Sequence, residues 1–419
     1  MLSSTAPAGV SMSSDIPPSM DVAGVTPVAP DPAVAELLEN GKDGVPLATL
    51  LNFVTILEGD PKFSGRCQRD EFRLRTIVDG NPVRDDDETA INLEIARMYG
   101  IRASSTLVGE AVRHVGNQHP VHPVRAYLDG LTWDGVVRTE TWLTEHCGAE
   151  ATPLVGEVGR CFLVGAVARV MQPGCKVDNV LILVGTQGIG KSRAFATLAG
   201  ADWFSDSAID FASKDAYQQL PGVWIFELAE LDSLRRSETS AVKAYISAQV
   251  DHYRPSYGRN TVDVPRQTVF VGTTNEAEFL RDPTGSRRFW PVAVTVIHLD
   301  ALAAERDQLW AEARWRYDHG ETWWLSPEGE QARIEASEPY REVDAWEAPI
   351  ENWTGERAEP FTVADVLSAA VAVEIGRQTK RDGMRVASIL GRLGYAKRRV
   401  RIGDGRVVMW TRADAPELA

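Results

Sequence analysis

Lysine and arginine are absent from the first 41 residues, and that stretch holds no aromatic side chain. A secretory leader needs a cationic start ahead of an apolar run, and a transit peptide needs repeated arginine. The pattern argues against both. Serine, proline, alanine and valine dominate instead, and residues 1–45 are expected to be a disordered low-complexity tail. Long apolar runs are missing as well. None approaches the roughly 20 residues that span a bilayer, so no membrane partner is expected and the cytoplasm is the default location. Cysteine is scarce: Cys67, Cys147, Cys161 and Cys175 lie far apart with no C-x-x-C spacing. That argues against a zinc site or disulfide framework and favours buried, reduced thiols. Positive charge is also in deficit, with 44 Lys and Arg against 59 Asp and Glu, a net charge of −15. The deficit does not exclude a nucleic-acid partner, because cations can be concentrated in one segment.

What is present is ordinary for a soluble globular chain, 44% hydrophobic and 25% charged over 419 residues, enough for two or three domains. Residues 46–150 carry helical periodicity around Thr89–Tyr99 and Leu107–Val115 and are expected to form a helical N-terminal domain. From 151 to 325 apolar strand runs (Val180–Val184, Val223–Phe226, Thr268–Thr273, Phe289–Val294) alternate with helical segments, which is an α/β pattern. A linker is expected over 326–360, and a separate basic unit over 361–419.

The strand Asn179–Val184 runs into Gly185-Thr186-Gln187-Gly188-Ile189-Gly190-Lys191-Ser192, followed by the helix Lys191–Leu198. Glycines let the backbone wrap phosphate groups, so that N–H donors and a helix N-terminus face the negative charge. Lys191 is placed to reach the β- and γ-phosphates of ATP, and Ser192 to ligate Mg2+. A chance match to this spacing in a chain of this length is on the order of one per cent. The next apolar strand ends in Glu227, with Glu230 three residues on. One carboxylate suits the magnesium and the other the attacking water, and the sequence leaves open which does which. The bland reading is a pair of acids in the first turn of a surface helix. The strand Thr268–Thr274 ends in Asn275, an amide suited to sensing the γ-phosphate, although asparagine is also a common turn residue. Arg287 and Arg288 precede another strand and suit an arginine finger on a neighbouring subunit's nucleotide. A salt-bridged surface pair is the alternative, and the choice between the two arginines stays open.

Several of these segments form a set: Leu131-x-Trp133-Asp134-Gly135, the loop Gly185–Ser192, Trp224-Ile225-Phe226-Glu227-Leu228-x-Glu230-Leu231, Arg254-x-x-Tyr257, Thr273-Thr274-Asn275 and Phe279-Leu280-x-Asp282-x-x-Gly285-x-Arg287-Arg288-Phe289-Trp290. Together they resemble the virulence-associated protein E family, phage- and island-encoded P-loop ATPases related to superfamily-3 helicases. The resemblance covers roughly residues 50–325. It implies an AAA+-like, superfamily-3-type sheet, a homo-oligomeric ring of six subunits, and ATP hydrolysis coupled to movement along DNA. It also implies Glu227 in the magnesium-organising motif, Asn275 as sensor and the Arg287/Arg288 pair in the finger region. Some relatives carry a primase domain, for which this sequence shows no matching segment.

In superfamily-3 helicases a hairpin just before the sensor strand enters the ring channel. Residues 251–266 have the turn residues and flanking Val and Tyr for one. Arg254 and Arg259 would contact phosphate and Tyr257 would stack on a base, or Arg254 would bridge to a carboxylate within its own domain. Farther on, helical periodicity over Phe361–Ile375 and Met384–Leu393 is followed by two strand-like segments around Gly403-Asp404-Gly405, which resembles a winged helix. From Lys380 to Arg412 ten cations face two acids, a net +8 that includes Lys397, Arg398, Arg399 and Arg401. That is the electrostatic footprint of a DNA-binding surface. The leading expectation is therefore an ATP-driven helicase or translocase acting on single-stranded or forked DNA in replication of a phage or mobile element, alongside other replication proteins. The alternative is an ATP-gated initiator or loader that does not unwind. A small-molecule kinase is a third class, opposed by Asn275, the paired arginines and the basic C-terminus.

Overall fold

The computed structural model describes residues 29–211, 213–228, 236–255, 260–275, 286–340, 344–355, 357, 359–402 and 405–413. The chain divides into two compact units, residues 1–132 with 218–223, and residues 133–217 with 224–419.

The first unit holds helices α1 (Pro32–Leu37), α2 (Leu50–Gly59), α3 (Asp85–Tyr99), α4 (Ser105–Gln118) and α5 (Pro123–Asp129). It also holds strands β1 (Cys67–Asp70), β2 (Arg75–Val78), β3 (Asn81–Pro82) and β4 (Pro120–Val121). Thr49 and Ser104 accept backbone N–H groups at the starts of α2 and α4, satisfying donors that a helix start leaves open. Phe53, Ile56, Ile91, Ile95, Val108 and Val112 fill the core between these helices. Three expectations change here. The unit is not only helical, since it contains a four-stranded sheet in the order β3-β2-β1-β4. Those strands are two to four residues long, too short for alternation to show in sequence. The tail expected over 1–45 contains α1, whose start is capped by the Asp31 carboxylate. The boundary falls at 132, not 150, because α6 (Trp142–Cys147) buries Trp142 and Leu143 within the second unit.

The second unit is a mixed α/β structure built on a parallel sheet. Its strands are β5 (Val180–Val184), β6 (Phe204–Ser205), β7 (Ile225–Leu228), β10 (Val269–Thr274) and β11 (Phe289–Ala293), in the order β11-β5-β10-β7-β6. Every pairing is parallel. All five residues of β5 are buried, as expected of a strand covered on both faces. The helices are α7 (Pro153–Met171), α8 (Lys191–Ala199), α9 (Arg236–Ser247) and α10 (Leu299–Asp318). Two tryptophans tie them to the sheet. Trp224 donates to the Ala166 carbonyl of α7 at 2.9 Å, Trp310 of α10 donates to the Leu198 carbonyl of α8 at 2.8 Å, and the two rings pack tilted at 31° with centroids 4.1 Å apart. Between α9 and β10 lies the antiparallel hairpin β8 (Val250–Tyr253) and β9 (Val262–Pro265), with Val250 opposite Pro265 and Tyr253 opposite Val262. Its base is pinned by Arg266, fully buried, which pairs with Asp251 and donates to the Tyr245 carbonyl.

The stretch expected as a linker, 326–360, is structured. Helix α11 (Pro327–Ser337) packs on α7, while α12 (Glu347–Gly355) contributes Ile350 to a separate C-terminal core. That core joins Phe361, Val366, Leu367, Val386, Ile389, Leu390, Tyr395 and Trp410 from α13 (Val363–Ala369), α14 (Lys380–Arg392) and the antiparallel pair β12 (Tyr395–Ile402) and β13 (Gly405–Arg412). The helix expected over Phe361–Ile375 is only the seven residues of α13, started by the capping pair Thr362 and Asp365.

Candidate functional site

Parallel strands present their carboxyl ends on one edge of the sheet, where ligands of open α/β folds sit. The carboxyl ends of β5, β7 and β10 converge there on a cavity of about 520 Å3. Gln187, Gly188, Gly190, Lys191, Ser192, Arg193, Asp206, Glu227, Thr273, Thr274 and Asn275 line it.

The loop after β5 needs its glycines for two different reasons. Gly188 and Gly190 have φ of 83° and 99°, a region L side chains avoid. Gly185 is instead pressed on the neighbouring strand: a Cβ there would run into the Val294 carbonyl oxygen, and its own N–H donates to Thr274 at 3.1 Å. Gly185→Ala is therefore expected to lower stability by about 1–3 kcal/mol through overpacking. Thermal unfolding checks this, and an unchanged Tm would contradict the close approach.

Helix α8 begins at Lys191, so the N–H groups of its first turn open toward the cavity. Lys191 is almost buried, and its ammonium donates to the carbonyls of Gly185 (2.7 Å) and Thr186 (2.9 Å). A compact cation is thus held on the loop's own oxygens, within a side chain's swing of the cavity. One residue on, the Ser192 hydroxyl donates to Glu227 Oε1 at 2.9 Å. Thr273 donates to the same oxygen at 2.6 Å. Glu227 Oε2 is buried and has no hydrogen-bond partner among the described residues. A buried carboxylate oxygen left without a donor is costly, and a hydrated divalent cation beside the Ser192 hydroxyl would satisfy it. The donor set, all oxygen, fits magnesium.

Glu227 is placed differently from the sequence reading. It lies inside β7, which is shifted two residues from the expected Val223–Phe226, and is buried rather than standing at the strand tip. Asn275 is exposed, directly after β10, on the cavity wall. Thr186 and Ile189 belong to the loop without lining the cavity, Thr186 serving through its carbonyl. Glu230 lies outside the described residues.

Arg287 and Arg288 are not brought to this cavity. They precede β11, whose Phe289 pairs with Val180, the first residue of β5. The loop leaves the last residue of β5, so the arginines sit at the opposite edge of the sheet, about 15 Å away at some 3.3 Å per residue. The two also differ. Arg288 is half-buried, donating to Ser247 Oγ at 2.8 Å with Asp178 at 3.8 Å, whereas Arg287 is exposed and makes no hydrogen bond or ion pair among the described residues.

Sequence reasoning missed Asp206 and Arg193, and it had Thr273 only as part of the segment that ends in Asn275, with no role at the site. Asp206 follows a strand of only two residues, which leaves no periodic signal to mark its position. Elsewhere among the described residues, one cluster has metal-type donors, Glu145, His146 and Glu305. There Glu305 is already engaged by His146 at 3.1 Å and Arg138 at 3.7 Å. All four cysteines are free thiols, and burial pushes the Cys147 and Cys161 thiols up to about 12, away from the reactive thiolate.

Of the residues expected to meet DNA, Arg254 follows β8 in the hairpin, while Tyr257 and Arg259 lie outside the described residues. On β12, Lys397 and Arg399 are exposed, with the Lys397 ammonium 5.3 Å from the Trp410 ring, and Arg398 is half-buried. Arg401 belongs to the same strand, and its side chain lies outside the described residues. The +8 of this segment overstates its free charge. Arg385 pairs with Asp344 and Arg392 with Glu347, both acids from the stretch read as linker.

The virulence-associated protein E-like domain family matches residues 128–342, just over half the chain. No curated protein matches. Among solved structures the chain is similar to the apo NrS-1 C-terminal region, at 11% identity and a TM-score of 0.42, covering 82% of this chain and 95% of that one. An A-form apo structure of the same region gives 12% identity and a TM-score of 0.37, covering 68% and 78%.

Proposed function

The chain belongs to the virulence-associated protein E-like family, and from that premise we propose that it is an ATP-hydrolysing DNA helicase or translocase serving replication of a phage or other mobile element. One observation carries the reading: Lys191, Ser192 and Glu227 share a single cavity at the carboxyl edge of a parallel sheet, beneath a glycine loop and a helix N-terminus. In this reading the core is an AAA+-like P-loop ATPase and the C-terminal unit a winged-helix-like module.

The loop amides and the start of α8 cradle the triphosphate of ATP. Lys191 leaves the Gly185 and Thr186 carbonyls for the β- and γ-phosphate oxygens. Ser192 and Glu227 hold Mg2+, which when bound neutralises charge on those oxygens. Asn275 orients water at the γ-phosphate, with Glu230 as the candidate base. An arginine from the adjacent subunit of a ring, six in number by family resemblance, completes the site. Arg254, Tyr257 and Arg259 are the candidate DNA contacts of the segment before β10, and Lys397, Arg398, Arg399 and Arg401 the candidate phosphate contacts of the C-terminal unit.

Hydrolysis with and without single-stranded DNA, run beside strand separation on a forked duplex, tests the proposal. Absence of hydrolysis by the wild type overturns it. DNA-stimulated hydrolysis without unwinding would select the initiator or loader reading instead. A further expectation concerns the basic strand. Replacing Lys397 and Arg399 together by alanine should weaken DNA binding across all sequences and reduce the log–log salt slope by about 1–2. A salt titration by fluorescence anisotropy reads both, and an unchanged slope removes β12 from the DNA interface.

A further inference from the structure

Magnesium takes six oxygens in near-octahedral geometry and gives up its water reluctantly. In the proposed site, held by Ser192 and Glu227, the cation would therefore keep part of its water shell. Those waters carry protons that need acceptors. Glu227 has little to offer them, since its Oε1 already accepts from Ser192 and Thr273 and only Oε2 remains.

A second carboxylate stands beside it. Strand β6 pairs in parallel with β7, Phe204 with Ile225 and Ser205 with Phe226, so the next residues in register are Asp206 and Glu227. Neighbouring strands lie about 4.8 Å apart. Asp206 lines the same cavity as Ser192 and Glu227, is exposed to it, and has no hydrogen bond or ion pair among the described residues. Arg193 lines the cavity too and makes no ion pair with it, so Asp206 is not spent on a local salt bridge.

We infer that Asp206 is a second metal-side carboxylate of this cleft, accepting hydrogen bonds from the water shell of the bound cation. The inference rests on the nucleotide-binding reading above. Glu227, buried and fixed by two hydroxyls, supplies a rigid acceptor on one side; Asp206, solvated and unrestrained, supplies the other from the edge of the sheet. Partners of this kind tune metal affinity by roughly 10–100-fold.

The test is a titration of Mn2+ into the full-length protein with a non-hydrolysable ATP analogue, free Mn2+ being followed by electron paramagnetic resonance. Asp206→Asn and Asp206→Ala should weaken Mn2+ binding by about tenfold or more, while affinity for the analogue in EDTA stays within about twofold. Asp206→Glu, which keeps the carboxylate, should recover much of the loss. Because Asp206 is exposed, these variants should keep the wild-type Tm, which separates a metal effect from misfolding. Wild-type Mn2+ affinity in both Asp206→Asn and Asp206→Ala overturns the inference while leaving the site reading intact. Absence of metal-dependent analogue binding in the wild type overturns both.

Discussion

Lys191→Ala is expected to reduce nucleotide hydrolysis by at least about 10³-fold, to the background of the assay. Lys191 is the one buried cation on the cavity wall among the described residues, and nothing else there can place positive charge on the β- and γ-phosphates from beneath. Arg193 is exposed at the mouth, one residue beyond Ser192. The structural cost of the change is small by comparison. Two hydrogen bonds to the Gly185 and Thr186 carbonyls are lost, and water in the cavity can replace them, so stability should fall by no more than about 1–2 kcal/mol. A kinetic collapse with a nearly unchanged Tm is the signature of a cation acting on substrate. Lys191→Arg should fail almost as badly, because a planar guanidinium cannot occupy the position of a compact ammonium on two loop carbonyls. Hydrolysis at the wild-type rate by Lys191→Ala would refute the site.

The loop was legible in sequence because its glycines are tied to backbone geometry. Gly188 and Gly190 need positive φ and Gly185 needs the space that Val294 denies a Cβ. Few sequences meet those demands by chance at that spacing. The neighbours of the loop were harder. Glu227 was found by its place after an apolar run, but the strand spans Ile225–Leu228, so Glu227 lies inside it and is buried, which an apolar run ending in an acid does not reveal. Asp206 carried no signal, since a two-residue edge strand has no period and its register with β7 exists only once the sheet forms. The same physics hid the sheet of the first unit. Charge counting failed in a different way. It treated Arg385 and Arg392 as free, while Asp344 and Glu347, some 40 residues away in sequence, neutralise them.

The arginine pair shows how far topology narrows a choice that sequence leaves open. Residues at the amino edge of a parallel sheet cannot serve a nucleotide bound at its carboxyl edge, so an arginine finger from this pair must act on a neighbouring subunit. Arg288 is committed to its own chain through Ser247 and Asp178, whereas Arg287 is exposed without a partner among the described residues. Arg287→Ala is therefore expected to lower kcat by about 10³-fold or more while nucleotide affinity changes little, as for fingers that stabilise transition-state charge. Arg288→Ala should act through the fold, lowering Tm by the loss of about 1–3 kcal/mol and reducing hydrolysis less. Mixing separates the cases. A Lys191→Ala subunit still offers Arg287 to its neighbour, and an Arg287→Ala subunit still has a working loop. Two inactive variants should thus recover part of the wild-type rate when combined, because some interfaces pair an intact loop with an intact arginine. Recovery requires that the arginine cross a subunit boundary. Full activity of Arg287→Ala alone would leave the pair as surface cations, and an inactive Arg287→Ala with no recovery on mixing would overturn action across a subunit boundary.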